Sequence, residues 1–214
     1  MGIPTWFFGA NAGLEFLAMI ASILIMYFAY RSYKLSSQRK FFYLGLAFFF
    51  IGISFFARTI THLLFYIFGA NSLLTSFLQH INYGSPFYML ITLLGYLIIL
   101  AVITKMFDRY SLLMIFLLAL AGIMFSTNPL QLFHIFSLII LFFILWKQLE
   151  NYFETRNANA LLVFAAFLLM LVGHTLFITI SYIKIEYVFY ILAHVFQLLG
   201  YGALLLAMLR VWSK

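Results

Sequence analysis

Long apolar stretches, separated by short polar ones, dominate the hydropathy pattern of the chain. Seven such segments are long enough or nearly long enough to cross a bilayer as helices, and the fourth is the shortest. They show no alternation with a period of two, so strands of a membrane barrel are not expected. The pattern predicts an all-α, polytopic membrane protein in which one domain, residues 1–214, forms a bundle of seven transmembrane helices. The predicted spans are about 10–30, 41–68, 87–104, 110–126, 129–146, 159–181 and 187–209.

Prolines and asparagines punctuate these segments. The pairs Ser85-Pro86 and Asn128-Pro129 each place a capping side chain directly before a proline, which is the arrangement typical of a helix start. They predict the beginnings of the third and fifth helices. No proline lies within the interior of a predicted span.

Composition removes the soluble alternatives. Charged residues make up 8% of the 214 residues and hydrophobic residues 66%, whereas a soluble domain has about 25% charged residues. Twelve basic and five acidic side chains cannot cover a water-exposed surface of this size. The absence of cysteine excludes disulfides, iron–sulfur clusters and thiolate zinc sites.

The basic residues predict the orientation of the chain. Ten of the twelve lie in connections on one side or in the C-terminal tail, while Lys184 alone lies in an opposite loop and Arg58 within a span. By the positive-inside rule, the N-terminus lies outside and the C-terminus in the cytoplasm, with the protein in the plasma membrane. We interpret the basic residues as markers of membrane topology. The expected partner is therefore the lipid bilayer and not nucleic acid. The connection from Gly69 to Ser85 has the apolar spacing of a short helix on the outer membrane surface.

Polar and ionisable side chains within the spans collect at one depth. At 1.5 Å per residue, five of them lie roughly 7–12 Å below the outer boundary, on five different helices, and two more lie slightly deeper. Buried ionisable groups in membranes are costly, and each is by default a candidate functional residue. The five are Glu15, His62, His134, His174 and His194, and the deeper two are Arg58 and Gln197.

The last helix carries its polar residues on a single face. They follow the spacing i, i+3, i+7, i+10, i+14 and are Tyr187, Tyr190, His194, Gln197 and Tyr201. Such a stripe is expected to face the interior of the bundle, because lipid offers no hydrogen bonds. With the ionisable layer, it predicts an outward-facing polar pocket.

The occupant of this pocket is left open by the residue types. Histidines on different helices could ligate haem b, or His62, His134, His174 and His194 could bind zinc, copper or iron. Glu15, Arg58, Gln197, Tyr187, Tyr190 and Tyr201 would then bind or orient the ligand. A quinone or another small organic ligand fits equally well, and the same side chains could instead be structural hydrogen-bonding partners between helices.

Known seven-helix families supply one partial resemblance. Sugar-transporting seven-helix proteins look like two three-helix repeats with proline-bearing helices, whereas the span interiors here lack proline. No internal repeat is evident in the sequence, although seven helices can hide a degenerate one. By contrast, the run His194-Val195-Phe196-Gln197-Leu198-Leu199-Gly200-Tyr201, followed by Leu-rich sequence and Arg210, resembles the last helix of prokaryotic membrane sensor domains of the MASE type. These domains usually precede kinase or cyclase modules. The resemblance covers about one helix, and since the chain stops at Lys214, it implies a separate signalling or complex partner.

The sequence therefore predicts an integral membrane binding protein, sensor-like, with an outer-half pocket for a metal, haem or small ligand. No catalytic residue is assigned, and an enzyme is not the favoured class. One alternative is a small b-type cytochrome or a quinone-interacting electron-transfer subunit. Another is a structural subunit of a larger membrane complex. A transporter would need the pocket to open inward as well, and the apolar inner half of the spans argues against ion transport.

Overall fold

The computed structural model describes residues 5–68, 86–105, 109–183 and 187–212. Within these ranges the chain is all-helical and contains no strand, as predicted. The predicted surface helix between Gly69 and Ser85 lies outside the described residues. The helices are α1 (Thr5–Ser36), α2 (Arg39–Phe68), α3 (Pro86–Thr104), α4 (Arg109–Phe125), α5 (Pro129–Thr155), α6 (Ala158–Ile183) and α7 (Tyr187–Trp212).

Six of the helices are long and apolar enough to cross a membrane, which indicates a multi-pass membrane protein. The fourth is shorter: its apolar part within the described residues is Leu113–Phe125. Several helices extend past the predicted spans, since α1 continues to Ser36 and α5 to Thr155. These extensions carry basic and polar residues. The helices thus continue beyond the apolar stretches that defined the predicted spans.

Local sequence sets the helix ends. The side-chain oxygen of Asn128 accepts a hydrogen bond from the backbone N–H of Gln131 at 3.4 Å, and Pro129 occupies the first turn of α5. At the other end of α5, Arg156 adopts a left-handed conformation with φ 50°, and its N–H donates to the carbonyl of Tyr152 at 2.8 Å. The predicted start of α5 at Asn128-Pro129 is therefore confirmed, with Asn128 as the cap and Pro129 in the first turn.

The helices pack as two groups of three, with α4 to one side. In the first group α2 packs against α1 and α3, and in the second α6 packs against α5 and α7. The groups meet where α1 packs against α7 and where α3 packs against α5, while α4 contacts only α3 and α5 among the described helices.

Contacts near the helix starts fix the relative directions. The rings of Phe7 and Tyr190 lie 5.3 Å apart, near the starts of α1 and α7. The rings of Tyr88 and Phe133 lie 6.0 Å apart, near the starts of α3 and α5. Arg58 contacts both Tyr190 and Tyr88, so the two pairs of helix starts lie together. Helices α1, α3, α5 and α7 therefore all begin at one end of the bundle, which we call the predicted outer end.

The interior and the surface are both apolar. The core is built from aliphatic and aromatic side chains such as Ile51, Leu93 and Leu141, which are fully buried. Large apolar side chains also point outwards, and on α4 Leu118 is 66% exposed and Phe125 90% exposed. An exterior of this kind matches lipid rather than water.

Candidate functional site

A carboxylate joins the first two helices near the predicted outer end. Glu15 on α1 is fully buried, and its Oε2 lies 2.7 Å from Nδ1 of His62 on α2, a hydrogen-bond distance. Its Oε1 lies 2.7 Å from Nη2 of Arg58, also on α2. This second contact is an ion pair whose N–H is not aimed at the oxygen. Glu15 thus satisfies two neighbours one turn apart on α2, which the i, i+4 spacing of Arg58 and His62 makes possible.

The Arg58 guanidinium also reaches across to the rest of the bundle. Its Nη2 donates to the hydroxyl of Tyr190 on α7 at 3.4 Å, and its central carbon lies 4.9 Å from the centre of the Tyr88 ring on α3. A cation over an aromatic face is a favourable contact, stronger where water is excluded. The charge of Arg58 is therefore held between a carboxylate and two tyrosines.

A chain of hydrogen bonds links buried histidines and tyrosines of both groups of helices. Nδ1 of His134 on α5 lies 2.9 Å from Nδ1 of His174 on α6. The opposite ring nitrogen of His174 lies 3.2 Å from the hydroxyl of Tyr96, which lies 3.1 Å from the hydroxyl of Tyr201. Four buried polar side chains on four helices satisfy one another in this way.

An aromatic ring connects three of the predicted site residues. Phe177 on α6 stacks on the ring of His134, with centroids 4.6 Å apart and an interplanar angle of 13°. The same ring meets His194 and Tyr190 edge to face, each at 4.9 Å. Phe177 is apolar, so an inventory of ionisable residues could not find it.

Six polar side chains have buried atoms without a hydrogen-bond partner among the described residues: Asn11, Glu15, Thr59, Ser137, Asn159 and His194. In Asn11, whose side chain is fully buried, both amide atoms lack a partner, and in His194 the atom is Nε2. An unpaired buried polar atom costs about 1–3 kcal/mol. The sequence reasoning missed Asn11, although its position one turn before Glu15 in the first span was a usable signal.

A small cavity lies between the two groups of helices. Its volume is about 10 Å³, close to the space that one water centre needs. It is bounded by seven polar side chains and two phenylalanines. The lining residues are Ser54, Phe55, Arg58, Thr92, Tyr96, Phe133, His134, His174 and Gln197.

The structure brings the predicted site residues into one region but arranges them as pairs rather than as one ligand set. Glu15, Arg58 and His62 form the first cluster and His134 with His174 the second, while Tyr201 joins the second through Tyr96. His194 contacts Phe177 and Tyr190, and Gln197 lines the cavity. Tyr187 begins α7, but its side chain lies outside the described part of the structure.

The donor sets do not favour the metal and haem predictions. Among the described residues, no group of three or more His, Cys, Asp or Glu side chains is placed to hold a metal ion. His134 and His174 are hydrogen-bonded to each other, and the cavity beside them is far smaller than a haem. Metal and haem binding therefore receive no support from the arrangement of the histidines.

Comparison of the sequence with family models, with curated proteins and with solved structures finds no match.

Proposed function

We propose that the protein binds a small polar solute with a carboxylate group in the cavity between its two groups of helices. The observation that carries the proposal is the composition of the cavity wall. Seven of its nine lining side chains are polar, although most of the buried core around them is aliphatic or aromatic. Polar groups that converge on one concave site in an otherwise apolar interior are the usual mark of a ligand site.

The charge of the wall favours an anionic group. Among the described residues, Arg58 is the only lining residue with a fixed charge, and no acidic side chain of this part of the chain lines the cavity. A guanidinium has five donors, of which the two contacts at Nη2 use only part. A carboxylate beside Arg58 would receive charge-assisted hydrogen bonds, which are roughly twice as strong as neutral ones.

The remaining wall residues supply neutral recognition. Ser54 and Thr92 share a hydrogen bond of 2.6 Å, and Gln197 brings an amide that can both donate and accept. Such groups would contact a hydroxyl or carbonyl on the same solute. The cavity has room for about one water, so binding of a larger solute requires the groups of helices to separate.

A thermal unfolding measurement on the purified protein in detergent tests the proposal. The probes are pyruvate, lactate and succinate, with lactamide as a neutral control. A ligand present at about a hundred times its Kd stabilises the folded state by about 2.7 kcal/mol, which raises Tm by several degrees for a chain of this size.

Matched variants locate the binding. Gln197→Leu and Thr92→Val should weaken the stabilisation by a carboxylate, because each removes a polar group from the cavity. Thr175→Val is the control, since Thr175 is exposed and bonds only within its own helix at 3.0 Å. The proposal fails if no carboxylate probe raises Tm above the lactamide level, or if the control variant loses as much as the cavity variants.

A structural role is the second candidate, and the contacts of Glu15 favour it. This side chain joins α1 to α2 through two contacts of 2.7 Å and is not among the cavity-lining residues. In a purely structural protein, the cavity variants would change stability equally with and without solute. Sensing through a separate partner and electron transfer remain predictions from the sequence.

A further inference from the structure

The buried positions of α1 recur on α5 at a constant spacing. From Glu15 onwards, each buried position of α1 has a buried counterpart on α5, 119 residues later in the chain. Glu15 therefore corresponds to His134. The paired buried positions are 15 and 134, 18 and 137, 21 and 140, 22 and 141, 25 and 144, and 29 and 148.

The same spacing of 119 continues through the following turn and helix. Ser37 and Arg156, which follow α1 and α5, have φ values of 54° and 50°, and both carry left-handed backbone. Buried positions of α2 and α6 then pair as 47 and 166, 48 and 167, 51 and 170, 54 and 173, and 55 and 174. Any two buried helices can be aligned by some offset, but one offset that holds across helix, turn and helix indicates a repeated unit.

The third helices complete the correspondence. The tetrapeptide Leu-Leu-Gly-Tyr occurs at 93–96 in α3 and again at 198–201 in α7, so these two helices correspond at a spacing of 105 residues rather than 119. A Cβ on Gly95 would lie 3.0 Å from the carbonyl oxygen of Ala47, and one on Gly200 would lie 2.8 Å from that of Ala166. Positions 47 and 166 are already paired, so α3 docks on α2 as α7 docks on α6.

The cavity lies on the axis that relates the two units. The hydroxyls of Tyr96 and Tyr201 are equivalent atoms and lie 3.1 Å apart. Equivalent atoms can touch only close to the rotation axis that exchanges them. The cavity lining includes Tyr96 together with the equivalent pairs 55 and 174, and 92 and 197. Because α1 and α5 begin at the same end, this axis runs along the helices.

We propose that the chain is a transporter built from two copies of a three-helix unit, α1–α3 and α5–α7, which carries the solute by exposing the cavity alternately to the two sides of the membrane. The inference rests on the proposed binding site and adds movement across the membrane to it. It departs from the expectation that the apolar inner half of the spans disfavours ion transport, because rocking of the two units, rather than a fixed polar path through that half, would expose the anion to the inner side. In many transporters, related units pack around a central substrate site and rock against each other. Parallel repeats related by an axis along the membrane normal are one of the known arrangements.

The units differ at the position of the cavity arginine. Arg58 of the first unit corresponds to Phe177 of the second, and the ion pair of Arg58 with Glu15 corresponds to the stacking of Phe177 on His134. The first unit therefore contributes a cation to the cavity wall, whereas Phe177 is not a lining residue and the second unit contributes Phe133, His134, His174 and Gln197. A single carboxylate would bind in one orientation, with its charge towards the first unit.

Cysteine accessibility tests the alternation without knowledge of the solute. The chain has no cysteine, so a single substituted thiol is the sole reactive group. Gln197→Cys and Thr92→Cys place thiols at equivalent positions of the cavity. The reagent is a membrane-impermeant methanethiosulfonate that bears a sulfonate group. It is applied to vesicles that contain the full chain, with the protein inserted in one orientation or the other. Ser36→Cys, at an exposed position, reports which side the reagent reaches, and Ser22→Cys, at a fully buried position outside the cavity lining, reports unfolding.

The expected result is modification of both cavity thiols from both sides, with Ser36→Cys modified from one side and Ser22→Cys from neither. Modification of the cavity thiols from one side only would refute transport while leaving the binding site intact. Modification from neither side would also refute it. Thermal stabilisation of the unsubstituted chain by pyruvate or lactate, but not by lactamide, reads out the binding site separately, so that the two proposals can fail independently.

Discussion

Glu15→Gln removes the negative charge that the first unit buries beside Arg58. At 2.7 Å and an effective dielectric constant near 20, the gross attraction between the two charges is about 6 kcal/mol. Part of it offsets the cost of burying both groups. Breaking a buried pair by neutralising one partner typically costs 3–5 kcal/mol, so we expect the free energy of unfolding to fall by about that amount.

Unfolding of the protein in mixed micelles, driven by an increasing fraction of dodecyl sulfate, measures this loss. The matched control is Glu150→Gln, because Glu150 makes a 2.7 Å contact with Lys147 at an exposed position and should change stability little. In the double variant Glu15→Gln, Arg58→Met both charges are gone, and the loss should be well below the sum of the two single losses.

The reasoning is refuted if Glu15→Gln costs no more than the Glu150 control, or if the double variant loses the full sum. A single variant that fails to fold while the double variant folds would agree with it. That outcome would show that the unpaired Arg58 charge, rather than the missing carboxylate, is what the fold cannot accommodate.

Three further predictions use the same unfolding measurement. Gly95→Ala should destabilise the protein by about 1–3 kcal/mol, since its Cβ would lie 2.6 Å from a side-chain carbon and 3.0 Å from a backbone oxygen. Gly202→Ala is the control and should be neutral, because a Cβ there would have no atom within 4 Å. Equal effects of the two substitutions would contradict the close packing at Gly95. Asn11→Leu should stabilise the protein by about 1–3 kcal/mol because both amide atoms lack a partner among the described residues; a loss of stability would contradict this. Tyr201→Phe should lower the free energy of unfolding by about 0.5–1.5 kcal/mol, because it removes one hydroxyl contact. Tyr96→Phe should lower it by more, because it removes two. The reverse order would be inconsistent with the observed chain of hydrogen bonds.

The helical architecture could be predicted from the sequence because it depends on local properties. Apolar length sets the spans, and Asn128 and Pro129 mark the start of α5 where the pattern placed it. Three residues of the stripe on the last helix are buried as the spacing indicated, namely His194, Gln197 and Tyr201. Tyr190 is half-buried, and the side chain of Tyr187 lies outside the described part of the structure. The number of membrane crossings and the orientation of the chain stay predictions from the basic residues.

The pairing of the site residues could not be predicted, because depth along a helix says nothing about which helices are neighbours. The histidines share a layer, but His62 is hydrogen-bonded to Glu15, whereas His134 is hydrogen-bonded to His174. The repeat was hidden for a related reason. Its units retain buried positions and one tetrapeptide rather than overall identity, and the substitution of Phe177 at the position of Arg58 removes the most visible polar signal from the second unit.

Helix α4 contributes few side chains to the core, yet the arrangement of the whole chain depends on it. Its outer face consists of exposed apolar residues such as Met114 and Leu118, so substitutions there by other apolar residues should have little effect. Because each unit has three helices, a second unit joined directly to the first would begin at the opposite end of the bundle and would be inverted. The additional helix α4 returns the chain to the first end, so that both units begin at the same end. The sequence of α4 is thus loosely constrained, whereas its presence is what allows a chain with one N-terminus to contain two parallel copies.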